Sequence, residues 1–188
     1  MTVLPGYRIE GHAIVSADGC IAGADGNTPA SLNNEADWLR FQAALDMAAV
    51  VVVGRYSHAV NPNTMRRNRL VLSSSAHGIE RRADAWWWNP NQVSLSAALD
   101  SAAPHGGIVA VPGGREVFDL FLASGYDAFH LARVAGVTLP GGVPLFTAVR
   151  DGQTPEMLLA AAGLDHGTPE ILDAAAGVTL VTWRRGAT

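Results

Sequence analysis

A carboxylate stands in this sequence where a carboxylate is costly. Asp37 lies in N-N-E-A-D-W-L-R-F-Q, a segment with helical spacing that places Trp38 and Phe41 near it. An acid among aromatics needs a partner if it is buried, and a ligand that donates two hydrogen bonds would be one. Gly54-Arg55 ends the apolar run V-V-V-V-G-R and precedes a predicted short helix, Tyr56 to Val60. In α/β sheets ligands collect beyond the carboxyl ends of the strands, and the planar arginine fork suits a phosphate. A surface arginine satisfying a carbonyl fits the same pair equally well. Val111-Pro112-Gly113-Gly114 repeats the pattern, with glycines that let the backbone approach a ligand and a following helix that offers free N–H groups. It is not a full dinucleotide fingerprint, and a bare Gly-Gly is also an ordinary turn.

Ser73-Ser74-Ser75 ends another strand, as phosphate or ribose contacts or as a polar turn. Met65-Arg66-Arg67-Asn68-Arg69 is the basic cluster, able to anchor an anionic tail or simply to be solvated. The six histidines are scattered without ligand spacing, so a metal site is not expected. No G-x-S-x-G elbow occurs and Cys20 has no activating neighbour in sequence, so nucleophilic catalysis finds no support.

The elements that must position these groups alternate. Strands are predicted at Tyr7 to Val15, Ala49 to Val53, Arg69 to Ser73, Trp86 to Trp88, Gly107 to Val111, Tyr126 to Val134 and Val178 to Trp183. Helices are predicted from Asn33 or Asn34, as cap, to Met47, from Leu95 to Ala102, and from Gly113-Gly114 to Ala123. Ala22 to Leu32 reads as a loop, and Thr138 to Thr168 has no clear pattern. Buried strands alternating with helices imply a single α/β domain over residues 1–188, with a central, mostly parallel, twisted sheet flanked by helices in three layers.

With 188 residues, 48% hydrophobic and 16% charged, the chain can bury a sizeable core and is not a disordered binder. A net charge of -4 argues against nucleic acid as partner. No apolar run reaches the roughly 18 residues that span a bilayer, so no membrane role is expected. The absence of a signal segment and the single cysteine fit a cytoplasmic location. A strand edge near the C-terminus could pair in a homodimer.

Taken together, I-V-S-A-D-G-C-I-A, E-A-D-W-L-R-F, V-V-G-R-Y-S, R-N-R-L-V-L-S-S and V-P-G-G-R-E-V-F resemble the dihydrofolate reductase family, whose superfamily includes the reductase domain of riboflavin biosynthesis. The likeness runs from about Gly11 to Phe146 in the correct order. It implies NADPH as cofactor, hydride transfer to a C=N bond, and a small-molecule pterin as substrate. Asp37 then takes the position of the helix acid that grips the pterin. Ile14 would meet the ring through its backbone, with Val15, Leu32, Trp38, Phe41, Val60, Pro112 and Phe118 around the substrate and Arg67 at the carboxylate of its tail. Ile21 would lie at the nicotinamide end, with Ala22 to Ser31 as a mobile loop. Gly54, Arg55, Tyr56 and Ser57 would hold cofactor phosphates, and Ser73 and Ser74 would sit near the 2′-phosphate. Val111, Gly113, Gly114, Arg115, Glu116 and Val117 would line the pyrophosphate path.

Departures from the pattern fall on the substrate side. Leu32 replaces the loop tryptophan, Pro112 the isoleucine before Gly-Gly, Phe118 a frequent tyrosine, and Val143 stands where an acid is expected. A modified pterin such as dihydromethanopterin, a riboflavin-pathway ribosylamino-pyrimidine, or NADPH binding without turnover all stay open.

Overall fold

Apolar runs that need both faces covered form the middle of the sheet. The computed structural model describes residues 4–186. Its strands are β1 (Tyr7–Ser16), β2 (Cys20–Ala22), β3 (Val50–Gly54), β4 (Arg69–Leu72), β5 (Ile79–Arg82), β6 (Ala85–Trp88), β7 (Gly107–Gly113), β8 (Ala128–Val134), β9 (Val143–Pro144), β10 (Leu164–His166), β11 (Glu170–Asp173) and β12 (Val178–Arg185). The helices are α1 (Glu35–Met47), α2 (Arg55–Val60), α3 (Leu95–Ala102), α4 (Arg115–Ser124) and α5 (Pro155–Ala161), with 3₁₀ turns at Ala30–Leu32 and Thr147–Asp151.

The sheet runs β10-β12-β8-β1-β7-β3-β4-β6-β5, with β11 also on β12. Strands β8, β1, β7, β3, β4 and β6 are parallel neighbours. Strand β12 joins β8 antiparallel, and β5 joins β6 antiparallel. Side chains alternate across each strand. Ile9, Val15, Val50, Val52, Val109, Val111, Phe129 and Leu131 enter the core shared with Leu99 of α3, Phe118 and Phe121 of α4 and Leu159 of α5. Val51, Val53, Val71 and Ala110 meet Leu45 and Phe41 of α1 on the other face. The three layers and the parallel centre are as expected.

Trp88 is buried in the core, while Trp87 turns to the α1 side and meets His58 of α2 edge-on. Asn68 ties loops together by donating to the carbonyls of Ala49 and Ala102 at 2.9 and 2.7 Å.

One local expectation changes. The patternless stretch holds β9, a 3₁₀ turn, α5 and β10, elements too short to leave a periodic signal. β10 and β11 both pair with β12, so the sheet edge near the C-terminus lies on those short strands. The loop after β2 is bonded to itself: Gly23 N–H donates to Asn27, and Asp25 accepts from the Asn27 backbone and side chain. No described helix is long and apolar enough to cross a membrane.

Candidate functional site

A cleft of about 1510 Å³ opens at the carboxyl ends of β1, β3, β4 and β7, with α1 along one wall. Single small-ligand sites usually hold about 300–1,000 Å³, so this one has room for two ligands or one long one. Its two ends have different chemistry.

One end is built from backbone. β3 and β7 lie side by side, with Val53 opposite Gly113. Each strand turns directly into a helix: α2 is capped by Gly54 and α4 by Gly114, neither with a side-chain hydrogen bond. Their first N–H groups and positive dipole ends therefore face the cleft without side-chain caps. Gly113 has φ +115°, and a Cβ there would lie 2.8 Å from the Phe118 ring, so only glycine fits. The Gly113-Gly114 peptide is cis. Arg55 makes no hydrogen bond or ion pair among the described residues. The Arg115 Nε is buried with no partner. Tyr56 and Glu116 are exposed on the rim, Ser57 is half-buried, and Val117 and Phe118 form the apolar wall behind. Ser74 is exposed at the β4 end of the cleft, whereas Ser73 is buried and its hydroxyl shares a 2.8 Å hydrogen bond with Ser75. Together these groups form a concavity whose free N–H groups and guanidinium have the chemistry to meet an anion.

The other end is built from side chains. Asn34 caps α1 by accepting from the Asp37 backbone N–H at 3.1 Å. The Asp37 carboxyl faces the cleft and no donor among the described residues meets it. Burial raises its pKa above the ordinary carboxylate value, and the Arg40 guanidinium opposes that rise. Phe41 and Trp38 are in ring contact at 5.9 Å, though Trp38 is 58% exposed. Ile14, Ile21, Ala22, Leu32, Val60 and Pro112 complete the lining. Leu45 is the buried residue of α1, and Trp38 and Leu39 face solvent. Arg40 lies one turn away from Asp37 on the same wall.

The floor beneath Asp37 is polar, which spacing could not reveal. His12 and His130 stack at 4.7 Å and 12°, because β1 and β8 place them in register. Arg40 donates to His130 Nδ1 at 2.7 Å, and His130 Nε2 lies 3.5 Å from Glu10. His130 and Arg8 hold the Glu10 carboxyl down at about 2. Burial and the neighbouring His130 hold His12 down at about 3, so it is neutral at physiological pH. Glu10 and His12 share a strand face by period two, a signal present in the sequence; the register that adds His130 is not.

Two expected residues do not line the cleft. Val15 and Val111 point through the sheet into the opposite core, one residue out of phase with Ile14 and Pro112. Arg67 reaches the cleft wall, but its Nε and Nη2 both bond Asp46 at 2.9 and 2.7 Å, and Nη2 also bonds Gln42. Its fork is thus already engaged with α1. Cys20 is buried, and burial raises its pKa.

No family model and no curated protein sequence matches this chain. Solved structures do. Dihydrofolate reductase from Enterococcus faecalis, complexed with NADP(H) and RAB-propyl, superposes with TM-score 0.65 at 16% identity over 96% of this chain and 97% of that one. A putative riboflavin biosynthesis protein from Shewanella sp. PV-4 gives 0.64 at 19% identity, over 96% and 99%. The Thermotoga maritima diaminohydroxyphosphoribosylaminopyrimidine deaminase/5-amino-6-(5-phosphoribosylamino)uracil reductase gives 0.62 at 16%, over 96% of this chain and 57% of that longer one. The chain therefore has the dihydrofolate-reductase-like fold.

Proposed function

We propose that this protein is an NADPH-dependent reductase that transfers a hydride to the C=N bond of a 7,8-dihydropterin, either dihydrofolate or a modified pterin such as dihydromethanopterin. The observation that carries the reading is Asp37: a half-buried carboxyl at the cleft wall that no described protein donor satisfies. A pterin ring offers paired N–H donors of the kind such a group lacks. A charge-assisted bidentate contact orients the ring and favours its cationic form.

The anion end fits NADPH. Uncapped helix starts at Arg55 and Arg115, the glycine position that a Cβ would block, and the partnerless Arg115 Nε suit a pyrophosphate. NADPH, when bound, supplies the hydride. The chain's own residues grip phosphates through Arg55 and the α2 and α4 N-termini, and hold the substrate ring between Phe41, Ile14 and Asp37. Asp37 fixes the ring edge while a water delivers the proton.

A riboflavin-type pyrimidine reductase is the second reading. Arg69, which donates to the Asn61 carbonyl at 2.7 Å and also lines the cleft, favours it as a site for a sugar phosphate. The test is NADPH oxidation followed by absorbance, with dihydrofolate, dihydromethanopterin and the ribosylamino-pyrimidine offered separately. Turnover with a dihydropterin is expected. Turnover with the pyrimidine alone would transfer the assignment to the second reading, and none with any of the three would end the reductase reading.

A further inference from the structure

Glu10, His12 and His130 converge on the α1 face of the sheet, where His12 and His130 form part of the cleft floor. One ligand-capable atom from each lies within 4.8 Å of the other two. Strand period places Glu10 and His12 on the same face of β1, and parallel register sets His130 beside His12. His12 is 4% exposed, and neither of its ring nitrogens has a partner. Buried polar atoms in folded proteins are nearly always hydrogen-bonded, so an orphaned imidazole between a carboxylate and a second imidazole needs an occupant. Imidazole and carboxylate are the donor set of zinc and its divalent neighbours. We propose that Glu10, His12 and His130 form a site for a divalent transition-metal ion of the zinc type, beneath the Asp37 wall and independent of the reductase reading.

The surrounding contacts say what must move. Parallel rings do not aim their lone pairs at one point, so one ring must turn. His12 has no hydrogen bond to lose in doing so. His130 is held at Nδ1 by Arg40 at 2.7 Å and Thr182 Oγ1 at 3.1 Å. With Nε2 on the metal, Nδ1 carries the proton and donates to Thr182, the outer-shell bond that ligating histidines commonly make. Arg40 must then release His130, and its charge is the feature that opposes the ion. Glu10 keeps Oε1 on Arg8 Nε at 2.5 Å and offers Oε2. Three protein ligands leave one position for water from the cleft.

The experiment is a titration of the full chain, stripped with chelator, with Co²⁺ and then Zn²⁺. One equivalent of Co²⁺ is expected to produce the visible bands of a four- or five-coordinate nitrogen–oxygen site, Zn²⁺ to bleach them, and Zn²⁺ to raise Tm. Glu10→Gln should weaken Co²⁺ binding at least about tenfold. His12→Phe, which keeps the stacked ring, should abolish the bands. Arg40→Met should tighten binding by removing the opposing charge. Circular dichroism checks that each variant is folded; should His12→Phe fail to fold, the near-isosteric Glu10→Gln decides. No bands up to millimolar Co²⁺ would mean that the orphaned nitrogens take a buried water instead, and would overturn the proposal. So would full binding by His12→Phe or Glu10→Gln, or unchanged affinity in Arg40→Met.

Discussion

The two ends of the cleft are made of different material. At the phosphate-like end the groups offered to a ligand are backbone: two helix starts, two glycine caps and a Gly-Gly turn, with Arg55 and Arg115 beside them. At the ring end the groups offered are side chains of α1, Asp37, Arg40 and Phe41, set over a floor that includes His12 of β1 and His130 of β8. Backbone sites demand little of the sequence beyond glycine and a strand-to-helix turn. Side-chain sites can be rewritten one residue at a time. The first end should therefore define a cofactor class, and the second should define this protein's own substrate.

The strongest way to break that division is Asp37→Asn. The variant keeps the shape and removes the charge that would hold a cationic ring. Turnover should fall by about 10²–10³, the scale of losing one electrostatic contact to the reacting group, while NADPH affinity stays within about twofold. The fold should gain slightly in Tm, because burial raises the Asp37 pKa and so makes its ionised form a cost at neutral pH. Steady-state kinetics, cofactor titration and Tm together decide; equal loss of turnover and of NADPH binding would mean that the two ends are one site.

Gly113→Ala probes the backbone end. A methyl placed 2.8 Å from Phe118, at φ +115°, must push the ring or bend the turn. The expected cost is about 1–3 kcal/mol of stability, with NADPH affinity lowered at least about tenfold and ring-ligand affinity less affected. Normal NADPH titration would show that the turn is structural only. Arg55→Ala is gentler. Its guanidinium has no described protein partner, so its loss should leave Tm unchanged and weaken NADPH by about tenfold, the scale of one charge-assisted contact. NADH should be affected less, and an unchanged NADPH-to-NADH preference would remove Arg55 from phosphate recognition.

How much of this was readable from sequence follows the same division. Asn34 as cap, the V-V-V-V-G-R strand end and the Gly113-Gly114 turn are local features, and each stands where spacing put it. What was missed is non-local. Arg40 lies only three residues beyond Asp37, but its engagement with His130 spans 90 positions of chain. His12 and His130 meet only through the β1–β8 register, which no spacing rule contains. Val15 and Val111 were assigned to the cleft by their place in a motif, and strand alternation sends both to the opposite core. Helical spacing put Trp38 beside Asp37, but α1 covers the sheet with little more than Leu45 and Phe41, leaving Trp38 and Leu39 outside.

The smallest effect tests the polar floor through acid stability, in chelator and without metal. His12 is held at about 3 against an ordinary 6.5, chiefly by burial, and Glu10 at about 2 against 4.5, chiefly by its hydrogen bond with His130. Arg8 and Arg40 are the other charges facing the pair. Both folded-state values are depressed, so across these windows the unfolded chain binds more protons than the folded one, and stability rises with pH. Full stability is present above about 6.5. It declines first as the unfolded chain's counterpart of His12 takes up its proton, and declines further below 4.5 as Glu10 adds its share, down to about 2. His12→Phe removes the upper window and also the two orphaned nitrogens. At pH 8 it should gain about 1 kcal/mol, from the orphaned group alone. At pH 5 the gain should be larger by several degrees of Tm, because the proton penalty is gone as well. An equal Tm difference at both pH values would show that His12 titrates normally, and the floor would then be wetter and less constrained than its burial implies.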